Sequence, residues 1–198
     1  MATISLCMIV KNEEAILARC LDSIADLMDE IIIVDTGSTD RTREIASHYT
    51  DQIYDFPWNN DFSAARNFSF SKAQMEYIYA ADADEVLDSF NRERFARLKE
   101  VLLPEIEIVQ MKYVTETAFD TVLNTQKEFR PKLFKRLRTF TWVDPIHETV
   151  RLNPVIFDSD IEILHKPQAL HSKRDFSIFV NAFRHDGKFS PKIRNMYA

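Results

Sequence analysis

Asp82-Ala83-Asp84-Glu85 clusters carboxylates directly behind the apolar run Tyr77-Ile78-Tyr79-Ala80-Ala81. In an extended chain, residues two apart face one side with Cα atoms roughly 6–7 Å apart, so the spacing predicts that Asp82 and Asp84 converge on one point. Bare, two such carboxylates repel and raise each other's pKa; around Mg2+ or Mn2+ they supply the oxygen ligands those ions prefer. A solvated turn carries the same spacing, and it is the place after an apolar strand that favours the metal reading. Asp35 ends another apolar run, Ile31-Ile32-Ile33-Val34, ahead of Thr36-Gly37-Ser38-Thr39-Asp40. It reads as an acceptor held toward a ligand, whereas Asp40 beside Thr39 reads as a cap, with Ser38 or Thr39 helping to start the next helix.

Arg66 in Phe62-Ser63-Ala64-Ala65-Arg66-Asn67 is a cation among small and apolar neighbours. Its guanidinium suits a phosphate or a base carbonyl, and equally a surface position. Asp144-Pro145-Ile146-His147-Glu148 follows Trp142 and the basic residues Arg130, Lys132, Lys135, Arg136 and Arg138. A glutamate near an acceptor hydroxyl serves as a general base and a histidine does so or orients it, but a polar turn contains the same residues. The basic residues alternate partly with Leu133, Phe134 and Leu137, so about half of them read as the wet face of a strand. His165, ending one more apolar run, reads either as a third metal ligand or as a satisfied core histidine.

Strands and helices must position these groups. Residues 4–10 read as a buried strand, and residues 13–28 as a helix with Ile16, Leu17, Cys20, Leu21, Ile24 and Leu27 at helical spacing. Residues 30–35 suit a strand covered on both faces, with a second helix from about Asp40. A short strand follows at 52–56, a helix at 61–72 and a strong strand at 77–81. Such alternation predicts an open, largely parallel sheet whose ligands sit beyond the carboxyl ends of the strands, where Asp35 and Asp82 fall. Ser89 caps a further helix that Pro104 closes; a strand at 105–115, two more between Phe129 and Trp142, and one at 161–164 make the second half richer in β-structure. Residues 173–183 read as an amphipathic helix.

The 198-residue chain is 45% hydrophobic and 28% charged, the composition of a folded domain, and at this length a core forms without disulfide staples. We expect one unit, dividing at about residue 100. Cys7 and Cys20 lie within apolar segments and read as buried free thiols. A net charge of −6 gives no electrostatic reason to expect nucleic-acid binding. The only glycines are Gly37 and Gly187, which excludes a Walker-type phosphate loop and a dinucleotide fingerprint. The opening apolar run is far shorter than the ~20 residues that span a bilayer. A cytoplasmic location is the default expectation, compatible with peripheral contact at the inner membrane face.

Taken in order, several blocks resemble glycosyltransferase family 2: Ser5-Leu6-Cys7-Met8-Ile9-Val10-Lys11-Asn12-Glu13-Glu14, the stretch from Asp29 through Val34-Asp35-Thr36-Gly37-Ser38-Thr39-Asp40 to Thr42, Trp58 with Asp61-Phe62-Ser63-Ala64-Ala65-Arg66-Asn67, Asp82-Ala83-Asp84-Glu85, and Leu133-Phe134-Lys135-Arg136 ahead of Ile146-His147-Glu148. The resemblance implies a GT-A fold, a Rossmann-like, mostly parallel central sheet flanked by helices, with a nucleotide-sugar-binding half at about 1–100 and a more β-rich acceptor-binding half at about 101–198. It implies transfer of a sugar, with inversion, from a nucleotide-diphosphate donor, usually a UDP-sugar, with Mn2+ or Mg2+, to a glycan, lipid-linked or peptide acceptor. By matching position Asp35 and Arg66 hold the nucleoside and the backbone near Val10 lines the base pocket. Asp84 binds the metal, Asp82 lies nearer the ribose or metal, and His165 adds a metal or diphosphate contact. Where the family carries an acidic Glu-Asp pair this chain has His147-Glu148, which makes Glu148 the expected base, with His147 or Asp144 as alternatives. That departure also keeps open a noncatalytic nucleotide-sugar-binding or partner-binding domain. A sugar nucleotidyltransferase using Asp82 and Asp84 is the remaining reading, without a Gly-rich phosphate loop to support it.

Overall fold

The computed structural model describes residues 1–119, 122–136, 142–143, 149–150, 154–167, 172–186 and 193. Strands β1 (Ile4–Val10), β2 (Glu30–Asp35), β3 (Ile53–Asp55) and β4 (Tyr77–Ala81) lie in the order β3-β2-β1-β4, all parallel. Their register brings the ends level: Val10 lies beside Asp35, and Met8 beside Ala81. The sheet continues past β4 through β7 (Val122–Lys135), β6 (Ile108–Phe119), β10 (Ile156–His165) and the short β5 (Glu85–Val86). Here β7 runs antiparallel to both β4 and β6, β10 is parallel to β6, and β5 is antiparallel to β10. β8 (Trp142–Val143) and β9 (Thr149–Val150) form a separate antiparallel pair.

Period-two alternation sorts the side chains. Ile4, Leu6, Met8 and Val10 of β1 face α1 (Leu17–Ile24), α2 (Thr42–Ser47) and α4 (Ser89–Val101), packing with Leu17, Leu21, Ala46, Phe95 and Leu98. Cys7, Ile32, Val34, Ile78 and Ala80 face the opposite way, onto Phe70 and Ala73 at the end of α3 (Phe62–Lys72). Helices thus cover both sides of a parallel core, the arrangement that requires strands apolar on both faces. A smaller cluster joins Ile178 and Phe179 of α5 (Ser172–Asp186) to Trp58 and Phe62 at the start of α3. Both cysteines are buried free thiols. Among the described residues no helix is long and apolar enough to cross a membrane.

Several elements differ from the sequence reading. The helix expected over 13–28 narrows to α1 plus a 3-10 turn at Ala25–Leu27, because the backbone of Glu13 and Glu14 is tied to the loop before α2. Asp88, not Ser89, caps α4, its carboxylate accepting from Asn91 N at 2.8 Å. Of the two strands expected between Phe129 and Trp142, one falls on β7, which starts earlier, at Val122, and runs through Pro131; residues 137–141 lie outside the described residues.

Candidate active site

The carboxyl ends of β1, β2 and β4 lie close together at one end of the sheet, where open α/β sheets place their ligand crevice. On its first side the loop after β1 is laced to the loop after β2. Asn12, at φ 56°, donates its N–H to Ser38 Oγ (3.0 Å) and accepts from Thr39 N (2.8 Å). Glu13 N donates to Thr42 Oγ1 at 2.7 Å, and Glu14 Oε2 accepts from Arg41 N at 3.0 Å. Gly37 turns the second loop at φ 101°, a conformation an L side chain rarely adopts. The run Lys11-Asn12-Glu13-Glu14 is therefore the counterpart of Thr36–Thr42 in one frame. Asp40, read as a cap, stands one residue before the cap position, which Arg41 occupies; its Oδ1 accepts from Thr42 N at 3.0 Å and its Oδ2 from Glu14 N at 3.2 Å.

Val10 and Asp35 stand at the base of this frame. The Val10 carbonyl accepts from both the N–H and the hydroxyl of Thr36, at 3.0 and 3.2 Å. Asp35 is 3% exposed; Oδ1 takes Ser38 N and Oγ at 2.9 and 2.7 Å, and Oδ2 takes Arg43 Nη1 at 3.2 Å. Arg43 also pairs with Asp55 at the end of β3, so one guanidinium straps two strand ends. The carboxylate expected to meet a ligand is thus oriented first by its own loop.

On the other side of the crevice the chain leaves β4 in a turn, Glu85 N donating to Asp82 O at 3.1 Å. This corrects the extended run expected for Asp82-Ala83-Asp84: the turn sends the two aspartates to different partners. Asp82 Oδ1 lies 3.3 Å from Nη2 of Arg66, which α3 presents at 7% exposure. Crowding by surrounding atoms raises the Asp82 carboxyl, but the charges of Arg66 and Lys132 outweigh it and hold the group at about 2. The Asp82 side chain remains 46% exposed, open to the crevice. Asp61, just before α3, caps that helix by accepting from Ala64 N at 3.1 Å, fixing where Arg66 emerges.

Asp84 meets His165 instead, Oδ2 to Nε2 at 2.9 Å. His165 closes β10, and the next residue secures the arrangement: Lys166 N donates to Asp84 O at 2.8 Å, while Lys166 O accepts from Arg19 of α1. Asp84 Oδ1 and His165 Nδ1 are buried without a hydrogen-bond partner among the described residues. Among the described residues no three His, Cys, Asp and Glu side chains converge. A carboxylate with a buried, unpartnered oxygen beside an imidazole is a donor set that suits a divalent ion of the Mg2+ or Mn2+ type; the 2.9 Å contact is a hydrogen bond that such an ion would replace, its neighbouring octahedral ligands lying about 3.0 Å apart. Such ions accept one or two protein ligands and complete their shell with water and phosphate oxygens.

Tyr113 and Lys132 were not singled out for this site by sequence reading. The Tyr113 ring packs on the His165 imidazole, centroids 4.9 Å apart, with the Arg130 guanidinium carbon 3.6 Å from the centre of the same ring. Lys132, read there as one of a series of basic residues, is buried against Glu85, with Nζ 2.6 Å from Oε1. Burial raises the Glu85 carboxyl to about 7, and the ammonium limits the rise. Lys132, Leu133 and Phe134 are all buried, so period-two alternation does not mark the lysine as inward. Glu148, His147 and Asp144, the candidate bases, lie outside the described residues.

The comparisons agree with this architecture. A TPR repeat-containing protein of Synechococcus elongatus is 48% identical over 87 residues, covering 44% of this chain and 22% of its own length. The SPbeta prophage-derived glycosyltransferase SunS of Bacillus subtilis is 35% identical over 137 residues, 65% of this chain and 31% of its own. The chain therefore spans under a third of these relatives. Glucosyl-3-phosphoglycerate synthase of Mycobacterium tuberculosis, solved with Mn2+, UDP and phosphoglyceric acid, shares the fold at a TM-score of 0.65 and 17% identity, over 96% of this chain and 80% of that one. The model of the family described as glycosyl transferase family 2 matches residues 5–163, and the chain belongs to that family.

Proposed function

We propose that the chain is the donor-binding and catalytic unit of an inverting glycosyltransferase that uses a nucleotide-diphosphate sugar, with UDP as the nucleotide. The observation that carries the proposal is the Asp84–His165 pair, set at ion-binding separation beside a crevice built from the ends of three parallel strands. The fold neighbour solved with Mn2+ and UDP supports the same class of ligand. In this reading Asp84 and His165 hold Mn2+ or Mg2+, and Asp82, charged at neutral pH and paired with Arg66, faces the ribose or the metal. Asp35 and the Val10 backbone line the base pocket. When bound, the ion neutralises charge that accumulates on the departing diphosphate. Arg66 adds a fixed, largely buried positive charge on the same side, preorganised so that little reorganises as charge develops.

Inversion needs a base opposite the leaving group, and Glu148 is proposed for it, with His147 or Asp144 in its place if it fails. The acceptor belongs to the glycan, lipid-linked or peptide classes. The test is UDP release from a panel of UDP-sugars with Mn2+, scored with and without candidate acceptors. Release that requires Mn2+ and falls by at least a hundredfold in Asp84→Asn supports the proposal. UDP binding with no turnover on any donor would instead make this a noncatalytic binding domain.

A further inference from the structure

Lys132 is the extra residue of a β-bulge. The β6–β7 ladder pairs Val109 with Leu133 and then Gln110 with Pro131, so Lys132 has no residue opposite it. Pro131 carries no N–H, and a strand with neighbours on both sides tolerates proline at such a place. A bulge re-aims a side chain. Here it directs a lysine inward: Lys132 is 6% exposed, and its Nζ lies 2.6 Å from Oε1 of Glu85, itself 3% exposed. Lysine is almost never fully buried unless paired.

Glu85 connects to both halves of the proposed ion site. Its second oxygen, Oε2, accepts from the backbone N–H of Asp82 at 3.3 Å, closing the turn that carries Asp84. Its own backbone pairs with His165 in the β5–β10 ladder. Apolar packing would fill this space without the desolvation cost of a buried ion pair, but it would not fix the plane of a carboxylate that holds a turn N–H.

We propose that Lys132 is a positioning residue: through its buried pair with Glu85 it holds the Asp82–Glu85 turn and the end of β10, so that the Asp84 carboxylate and the His165 imidazole stay at ion-binding separation. This rests on the donor-site reading for its consequence in Mn2+ affinity, and on the fold alone for its effect on His165.

Two readouts test it on the folded protein. The imidazole signals of His165, assigned by comparison with His165→Gln, are recorded by NMR without ligand in Lys132→Met and Lys132→Arg. Mn2+ affinity in the presence of UDP is measured on the same proteins and on the Glu85→Gln/Lys132→Met pair. The expected result is a shift of the His165 signals and an affinity loss of about tenfold in Lys132→Met, the range for residues that orient metal ligands. Lys132→Arg keeps both near wild type, and the double variant regains thermal stability without regaining affinity. Should Lys132→Met not fold, the double variant and Lys132→Arg carry the comparison. Unchanged His165 signals in a variant without the buried charge, or full affinity in the double variant, would overturn the proposal. If the wild type binds no Mn2+ with UDP while the His165 signals still follow residue 132, the donor reading falls and the positioning role stands.

Discussion

Replacing Asp84 by asparagine keeps the size of the side chain and its reach to His165 Nε2 at 2.9 Å, and removes the negative charge. The fold loses little, because among the described residues no cation is paired with Asp84 apart from that imidazole contact. The loss falls on the ion. Wild-type protein with UDP and Mn2+ at 100 times the dissociation constant gains about 2.7 kcal/mol. At this chain length that raises the unfolding midpoint by roughly 5–10 °C. In the proposed site Asp84 and His165 are the main protein ligands, so losing one should raise the dissociation constant by about 100-fold or more, beyond the effect of residues that only orient ligands. The stabilisation then falls to about 0.4 kcal/mol, a midpoint rise of roughly 1 °C. Thermal unfolding followed by circular dichroism, with UDP, Mn2+, both or neither, measures this directly. A full ligand-dependent rise in Asp84→Asn, or a wild-type rise that does not need Mn2+, refutes the reasoning.

Asp61→Ala removes the cap that accepts from Ala64 N and Ser63 Oγ at the start of α3, and should lower stability by about 1 kcal/mol in a denaturant titration. Phe95→Ala empties a site where the ring is fully buried and stands edge-on to Tyr79 at 5.2 Å; the expected loss is about 3–5 kcal/mol by the same method. Cys7 and Cys20 are fully buried, and burial pushes the Cys7 thiol up to about 12 and the Cys20 thiol higher still. A thiol reagent at pH 8 should therefore leave both untouched in native protein and titrate both after denaturation.

The parallel half of the sheet was legible because its strands are apolar on both faces: Ile31-Ile32-Ile33-Val34 and Tyr77-Ile78-Tyr79-Ala80-Ala81 suit a strand covered by helices, and both form one. Placing Asp35 and Asp82 at the ends of those strands followed from the same runs. What the sequence could not show was how the chain turns once it leaves the strand. Asp82 and Asp84 share a spacing that converges only in an extended chain, and a single turn hydrogen bond separates them. Asp88 and Ser89 are both good capping residues, and the backbone conformation chooses between them. The helix expected from Glu13 starts late because Glu13 and Glu14 serve the neighbouring loop, a contact across 26 or more residues that periodicity does not report.

Lys132 shows the same limit at the site itself. Lys132, one of the basic residues that alternate partly with Leu133, Phe134 and Leu137, reads as the wet face of a strand. The bulge keeps the strand continuous and turns the residue inward, and only the register of β6 against β7 discloses it. His165, by contrast, stood out as the polar end of an apolar run, with metal binding and core burial equally open. Its contact with Asp84 ties it to the carboxylate turn.

The most direct test is a crystal grown with UDP and Mn2+, with diffraction recorded at the manganese absorption edge. The account predicts an anomalous peak within bonding distance of both an Asp84 carboxylate oxygen and His165 Nε2, with the UDP diphosphate completing the ion's shell. UDP bound with the Asp84–His165 hydrogen bond intact and no ion between them, or an ion held elsewhere in the chain, would contradict it.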